Sequence, residues 1–180
     1  MKFVKLFLII LVALLVIFLL VAAVSPSSYD VERTVTIEKS KSEVFNYVKL
    51  LKNQDNYSKW AKIDPGMQKD FRGEDGTVGF VSAWTSDHPD VGKGEQEIVG
   101  MQEGSRIDYE LRFIEPFEST SPAFMTTDSL DSTLTQVKWA FHGDMPYPMN
   151  IMLLFMDMEE MLGNDLAGGL ENLKAILEEE

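Results

Sequence analysis

The chain contains no cysteine. That removes disulfides, thiolate nucleophiles and zinc-thiolate centres together, and with them the lipid-bearing cysteine of a lipoprotein. Histidine is almost as scarce, with only His88 and His142 in 180 residues. His88 sits in the loop string Ser86-Asp87-His88-Pro89-Asp90, and neither histidine has a partner at a spacing that marks a general base. Basic residues are few. With Lys2 and Lys5 set aside, 14 Lys and Arg face 29 Asp and Glu, a balance of −15. Such a field repels nucleic acid and anionic head groups, so no nucleic-acid partner is expected, and solubility in a salty exterior accounts for the charge. There is no Ser-centred elbow, HExxH helix, phosphate loop or EF-hand loop. The acidic cluster Asp64, Asp70, Glu74 and Asp75 lacks calcium-loop spacing. No metal, no cofactor and no catalytic residue is therefore assigned.

What the chain does have begins with an unbroken apolar run, Leu6 to Val24, LFLIILVALLVIFLLVAAV. At about 1.5 Å per residue it spans about 28 Å, close to the roughly 30 Å hydrocarbon core of a bilayer. Val21-Ala22-Ala23 offers a cleavage site for a signal peptide, but the run exceeds the usual apolar region of roughly 7–15 residues, which favours an uncleaved signal anchor. Lys2 and Lys5 precede it and are expected to stay in the cytoplasm, placing the rest outside. The expected organisation is a cytoplasmic N-terminus over 1–5, a transmembrane anchor over 6–24, a linker over 25–28 and one folded domain over 29–180. A domain of that length buries roughly 68–70 % of its unfolded surface.

Within the domain the hydrophobic period changes twice. Tyr29 to Ile37 alternates as a half-buried strand. Ser40 and Glu43 then form a capping box for a helix with Val44, Tyr47, Val48 and Leu51 on one face, and Asn53 to Trp60 reads as a second short helix. From Met67 to Gly143 the period is two. Strands are expected over 69–73, 79–85, 92–101, 106–114, 119–127 and 133–142. The clearest, RIDYELRFI, sets Ile107, Tyr109, Leu111 and Phe113 against Arg106, Asp108, Glu110 and Arg112. Short links imply an antiparallel meander with one covered and one wet face. The cover is a final helix expected from near Pro148, about 30 residues and about 45 Å long. Its apolar stripe is Met158, Leu162, Leu166, Leu170, Leu173 and Leu177. Gly168-Gly169 within it reads as close packing against a bulky strand residue, Trp84 or Trp139, or as a thin spot at a cavity mouth.

Six of the ten methionines, Met145, Met149, Met152, Met156, Met158 and Met161, precede or open that helix. Thioethers bind Cu(I), but no histidine or cysteine accompanies these and the neighbours are Ile151, Leu153, Leu154 and Phe155. Deformable core or pocket wall is the better reading.

The strings YDVERTVTI, SKSEVFNYV, NYSKWAKIDP, VGKGEQEI, IDYELRFIEPFE and PYPMNIMLLFMDMEEMLGNDLAGGLENLK, in this order, resemble the START/Bet v 1-like (SRPBCC, helix-grip) superfamily and its polyketide cyclase-like group, in a membrane-anchored variant. The resemblance runs from Tyr29 to Leu177. It implies an α+β helix-grip fold, a seven-stranded antiparallel sheet gripping the C-terminal helix around an apolar cavity, with two short helices after the first strand. It also implies a hydrophobic small molecule or lipid as partner, and in a minority of members cyclisation chemistry. The expected lining is Phe80, Trp84, Ile98, Tyr109, Leu111, Phe113, Met125, Trp139 and Phe141 from the strands. Met152, Phe155, Met158, Leu162 and Leu166 would come from the helix. Core filling uses the same residue types. Three readings follow: a membrane-tethered module binding a hydrophobic molecule or lipid, a cyclase-like enzyme, and a cell-envelope interaction module with a filled core. The enzyme would need a polar pair inside the cavity, drawn from Tyr109, Asp108, His142 and Glu95.

Overall fold

A computed structural model describes residues 2–179. Helix α1, Lys2–Val24, is the one helix among the described residues long and apolar enough to cross a membrane, and almost none of its surface is packed against protein. Its end is held to the domain by Asn150, whose buried side-chain amide donates to Ala22 O at 2.7 Å and Ser25 O at 3.2 Å.

Strand β1, Ser28–Ile37, follows after a three-residue link. The capping box forms as its residue types require: Glu43 N donates to Ser40 Oγ at 3.4 Å and Ser40 N to Glu43 Oε2 at 3.1 Å. It opens α2, Lys41–Val48, which buries Val44, Phe45 and Val48. The second short helix divides in two, α3 at Gln54–Tyr57 and α4 at Lys59–Ile63, because Ser58 between them is extended. Six strands follow, β2 Gln68–Arg72, β3 Val81–Thr85, β4 Lys93–Gln102, β5 Arg106–Glu115, β6 Ser119–Ser129 and β7 Thr135–Asp144. They form one seven-stranded antiparallel sheet in the order β1-β7-β6-β5-β4-β3-β2.

The final helix is shorter than the apolar pattern predicts. Met149–Leu154 is a separate stretch of 3-10 helix, and α5 runs only from Met158 to Glu179, 22 residues. Asp157 starts it, its Oδ1 accepting from Glu160 N at 2.9 Å. Upstream, Asn150 of the 3-10 stretch is pinned to the end of α1. The leucine stripe behaves as its period requires: Leu166, Leu170, Leu173 and Leu177 are buried against the sheet. Gly169 is the close-packing position. A Cβ there would stand 2.9 Å from Trp139 Cζ3, and Trp139 in turn meets Tyr57 edge-on at 5.9 Å between ring centroids. Gly168 has open space beside it.

The outer face carries paired charge. Arg112 donates to Glu95 at 2.7 Å, to Glu97 at 2.7 Å and to Glu110 at 2.5 Å, and Arg72 also pairs with Glu95. These bonds hold the Glu95 carboxyl below its ordinary range, with Arg72 the larger contributor and Arg112 next.

Candidate functional site

Period-two alternation and antiparallel register arrange the inward-facing side chains in rows across the sheet. At one end Lys69, Trp84, Gly94, Phe113 and Ser119 are successive cross-strand neighbours. The next row inward is Ser82, Gln96, Leu111 and Ser121. The third is Ile98, Tyr109, Ala123, Phe141 and Val31, with Phe80 bonded beside Ile98. Between these rows and α5, reaching Ala123 and Phe141 of the third row and Trp139 beyond it, lies a cavity of about 420 Å³. That volume lies within the range of small-molecule sites, roughly 300–1,000 Å³.

Glycine 94 shapes its mouth. The strand register slips between Lys93 and Gly94. A Cβ at Gly94 would lie 2.6 Å from Trp84 Cζ2 and 2.7 Å from Arg112 O. Only glycine lets the Trp84 indole lie across the strand, where it meets Phe113 edge-on and donates to Val91 O at 3.3 Å.

Of the expected lining residues, Trp84, Leu111, Phe113, Trp139 and Phe141 from the sheet and Met158, Leu162 and Leu166 from α5 border the cavity. Phe80, Ile98, Tyr109 and Met125 do not. They are fully buried in the hydrophobic core with Val44, Leu170 and Leu173, and they make its solid part. Met152 and Phe155 are placed elsewhere altogether. With the helix broken before Met158 they leave its stripe and stand on the surface, 40 % and 84 % exposed.

The polar candidates separate just as clearly. Asp108, Glu95 and His142 lie on the outer face, where His142 Nδ1 meets Asp30 Oδ1 at 2.7 Å. Tyr109 is enclosed in the third row, and burial pushes its phenol above the ordinary value. No two of these four form a pair inside the cavity. The ionisable pair on the cavity wall is a different one, Lys69 with Asp55, 2.8 Å apart. His88 lies in the loop beside the mouth, where its Nδ1 accepts from Asp90 N at 3.2 Å. The tie that fastens this loop is Ser86 Oγ donating to Asp64 Oδ2 at 2.5 Å.

Ser82, Gln96 and Ser121 also line the cavity, and sequence reasoning passed them over. The signal was present. Each occupies an inward phase of its strand, where VSAWT, GEQEI and STSPAFM otherwise place apolar or small residues, and a polar residue at an inward position is the informative exception.

The exposed lining residues Pro89, Asp90, Glu115, Pro116, Phe117, Ser119 and Asp144 all sit at one end of the sheet. This is the end where β1 begins, and so the end from which α1 departs. Tyr29, near that start, lines the mouth, its phenol raised by burial and by the Asp144 carboxylate. Around it Ile114, Phe117, Tyr147, Met149, Leu154 and Phe155 expose large apolar side chains.

No family model and no curated protein matches the chain. Solved structures do match it. Norcoclaurine synthase from Thalictrum flavum, a point mutant in complex with a transition-state analogue, has a TM-score of 0.63 at 12 % identity, over 87 % of this chain and 98 % of that one. The di-domain aromatase/cyclase StfQ of the steffimycin biosynthetic pathway has a TM-score of 0.61 at 12 % identity, over 85 % of this chain and 51 % of that one. The Aha1 dimer from Colwellia psychrerythraea has a TM-score of 0.56 at 12 % identity, over 83 % and 96 %. At such identities the likeness is one of fold. The helix-grip architecture implied by the SRPBCC resemblance is the architecture observed.

Proposed function

We propose that the protein is a membrane-tethered module that binds a hydrophobic small molecule or lipid in the cavity between sheet and α5. The observation that carries this reading is the cavity itself. It is walled by Trp84, Leu111, Phe113, Phe141, Leu162 and Leu166 and opens at the end where α1 leaves the domain. Residues 6–24 act as an uncleaved signal anchor, Lys2 and Lys5 remain cytoplasmic, and the domain over 29–180 lies on the extracytoplasmic side. The apolar side chains around the mouth, with Phe117 and Phe155 most prominent, then face the bilayer surface, where such ligands concentrate. Ligand-bound and cyclase-type proteins among the fold neighbours support the reading.

A second reading, a cyclase-like enzyme, is favoured by the Lys69–Asp55 pair on the cavity wall. A lysine held beside a carboxylate in an apolar cleft is a means of moving a proton. It predicts that Lys69→Met abolishes turnover of a bound polyketide-like molecule while leaving its binding intact.

The test is native mass spectrometry of the full chain purified from its own host in mild detergent, followed by organic extraction. A stoichiometric apolar mass is expected. A protein that comes away empty, and that takes up no apolar fluorescent probe, would overturn the binding reading in favour of an envelope interaction module.

A further inference from the structure

We infer that the cavity is built for a neutral, oxygen-bearing apolar molecule, whose hydroxyl or carbonyl is held at mid-depth by the Gln96 carboxamide between Ser82 and Ser121. The inference rests on the binding reading above and sharpens its ligand class.

Gln96, Ser82 and Ser121 are 8 %, 7 % and 5 % exposed. All three belong to the second row and border the cavity. Among the described residues none of their side chains makes a hydrogen bond within the protein, whereas the outer-face Glu95 and Glu97 on either side of Gln96 are both bonded. Their polar atoms are not sealed in the core, where among the described residues Asn150 Oδ1 is the one side-chain atom without a partner; they open onto the cavity, and leucine or valine would suit a purely apolar wall better. A primary amide offers an acceptor and two donors, and each serine hydroxyl offers both roles. The row therefore complements a hydroxyl or a carbonyl. The apolar positions around it, Leu111 in the same row with Leu162 and Leu166 above, suit the hydrocarbon remainder.

The sign of charge narrows the class further. Lys69 is the one cation among the described residues that line the cavity, and it is occupied by Asp55. Asp90 and Asp144 stand at the mouth, and Glu115 beside them is paired with Lys93 at 2.9 Å. A carboxylate or phosphate ligand would enter against this field and find no free cation at the second row. Fatty-acid anions and acidic phospholipids are thereby disfavoured, and uncharged alcohols, ketones and quinone-like compounds preferred.

All three tryptophans, Trp60, Trp84 and Trp139, border the cavity, so a bound pyrene reports itself by quenching their emission through energy transfer. The full chain in phosphatidylcholine nanodiscs is titrated with 1-hydroxypyrene, 1-methylpyrene and 1-pyrenecarboxylate, with each concentration corrected for partition into protein-free nanodiscs. The neutral hydroxyl compound should bind about tenfold more tightly than the methyl compound, and the carboxylate most weakly. Gln96→Leu should reduce 1-hydroxypyrene to the level of 1-methylpyrene. Retained 1-methylpyrene binding shows that this variant is folded. The double variant Ser82→Ala, Ser121→Ala should narrow the preference without abolishing it. Equal binding of the hydroxyl and methyl compounds by the native chain overturns the inference and leaves the cavity reading standing. So does a preference that survives in both variants. Failure of all three probes to quench overturns both.

Discussion

Glu95, Gln96 and Glu97 are consecutive and chemically alike, yet the sheet treats them in opposite ways. The two glutamates point outward and are tied to Arg112 at 2.7 Å each. The glutamine points inward, is nearly fully buried and has no partner within the protein among the described residues. On the outer face polar groups complete one another, and their work is stability and solubility. On the inner face the polar row is left incomplete beside a cavity, while stability comes from apolar neighbours. Local polarity therefore says little about role. The direction of the side chain and the completeness of its bonds say much more.

The sharpest way to test this division is to remove an apolar inner-face residue and compare it with the polar row. Trp139→Ala deletes a buried indole that packs on Gly169 and Tyr57. It should cost about 3–5 kcal/mol, read from the urea midpoint with an unchanged slope. Arg112→Leu should cost less, about 1–2 kcal/mol, because it leaves Glu95, Glu97 and Glu110 facing one another on a partly wet surface. Its pH dependence carries the proof. The Glu95 carboxyl is depressed by Arg72 and Arg112, so its contribution is present above the ordinary glutamate range and lost as pH falls through the depressed value. The gap between native protein and Arg112→Leu should therefore shrink on acidification. A gap that stays constant down to the acid transition would assign the loss to packing of the arginine stem instead.

Gln96→Leu should change stability by no more than about 1 kcal/mol, since an amide that makes no bond within the protein among the described residues gives way, at the cavity wall, to an apolar side chain of similar size. A large destabilisation would mean that the amide is bonded in the folded protein after all, and the contrast between the faces would collapse.

Much of this organisation was legible in the chain. RIDYELRFI displays its two faces openly, and the strand ends fall within two residues of those predicted from alternation and turns, because a half-buried antiparallel sheet writes its period directly into the sequence. Two features were not fully read. Apart from Asn150 the stretch from Met149 to Phe155 is apolar throughout, so its period does not say where a helix ends; Asn150 is instead bonded to Ala22 O at the end of α1, a tertiary contact. The break did leave a local mark, since Asp157 followed three residues later by Glu160 has the form of a helix start. Which inward residues line the cavity and which fill the core was legible only in part: Trp84 and Leu111 border it as expected, Phe80 and Ile98 do not. Trp84 and Phe80 share a strand phase, and within the third row Phe141 borders the cavity while Ile98 and Tyr109 fill the core, so tertiary packing, not strand phase, separates wall from filling.

The smallest expected effect concerns the outer face at the mouth. His142 is held between Asp30 at 2.7 Å and Asp144 at 3.5 Å, and its imidazole is raised above the ordinary value of 6.5, chiefly by the bond to Asp30. A raised folded value means that the stabilisation is complete below the ordinary imidazole value and lost as pH rises through the folded one. The group is open to solvent, so salt and water screen the pair and the effect is small. Thermal melts of the native chain and of His142→Gln, taken from about pH 5.5 to 8.5, should converge as pH rises. The melts of Gln96→Leu should run parallel to those of the native chain over the same window, because the inner row holds no group that titrates there. Parallel profiles for His142→Gln would show that the Asp30–His142 contact does not persist in solution. Converging profiles for Gln96→Leu would place an unrecognised charge against the inner row, and the division between a bonded, titrating outer face and a neutral, open inner one would have to be redrawn.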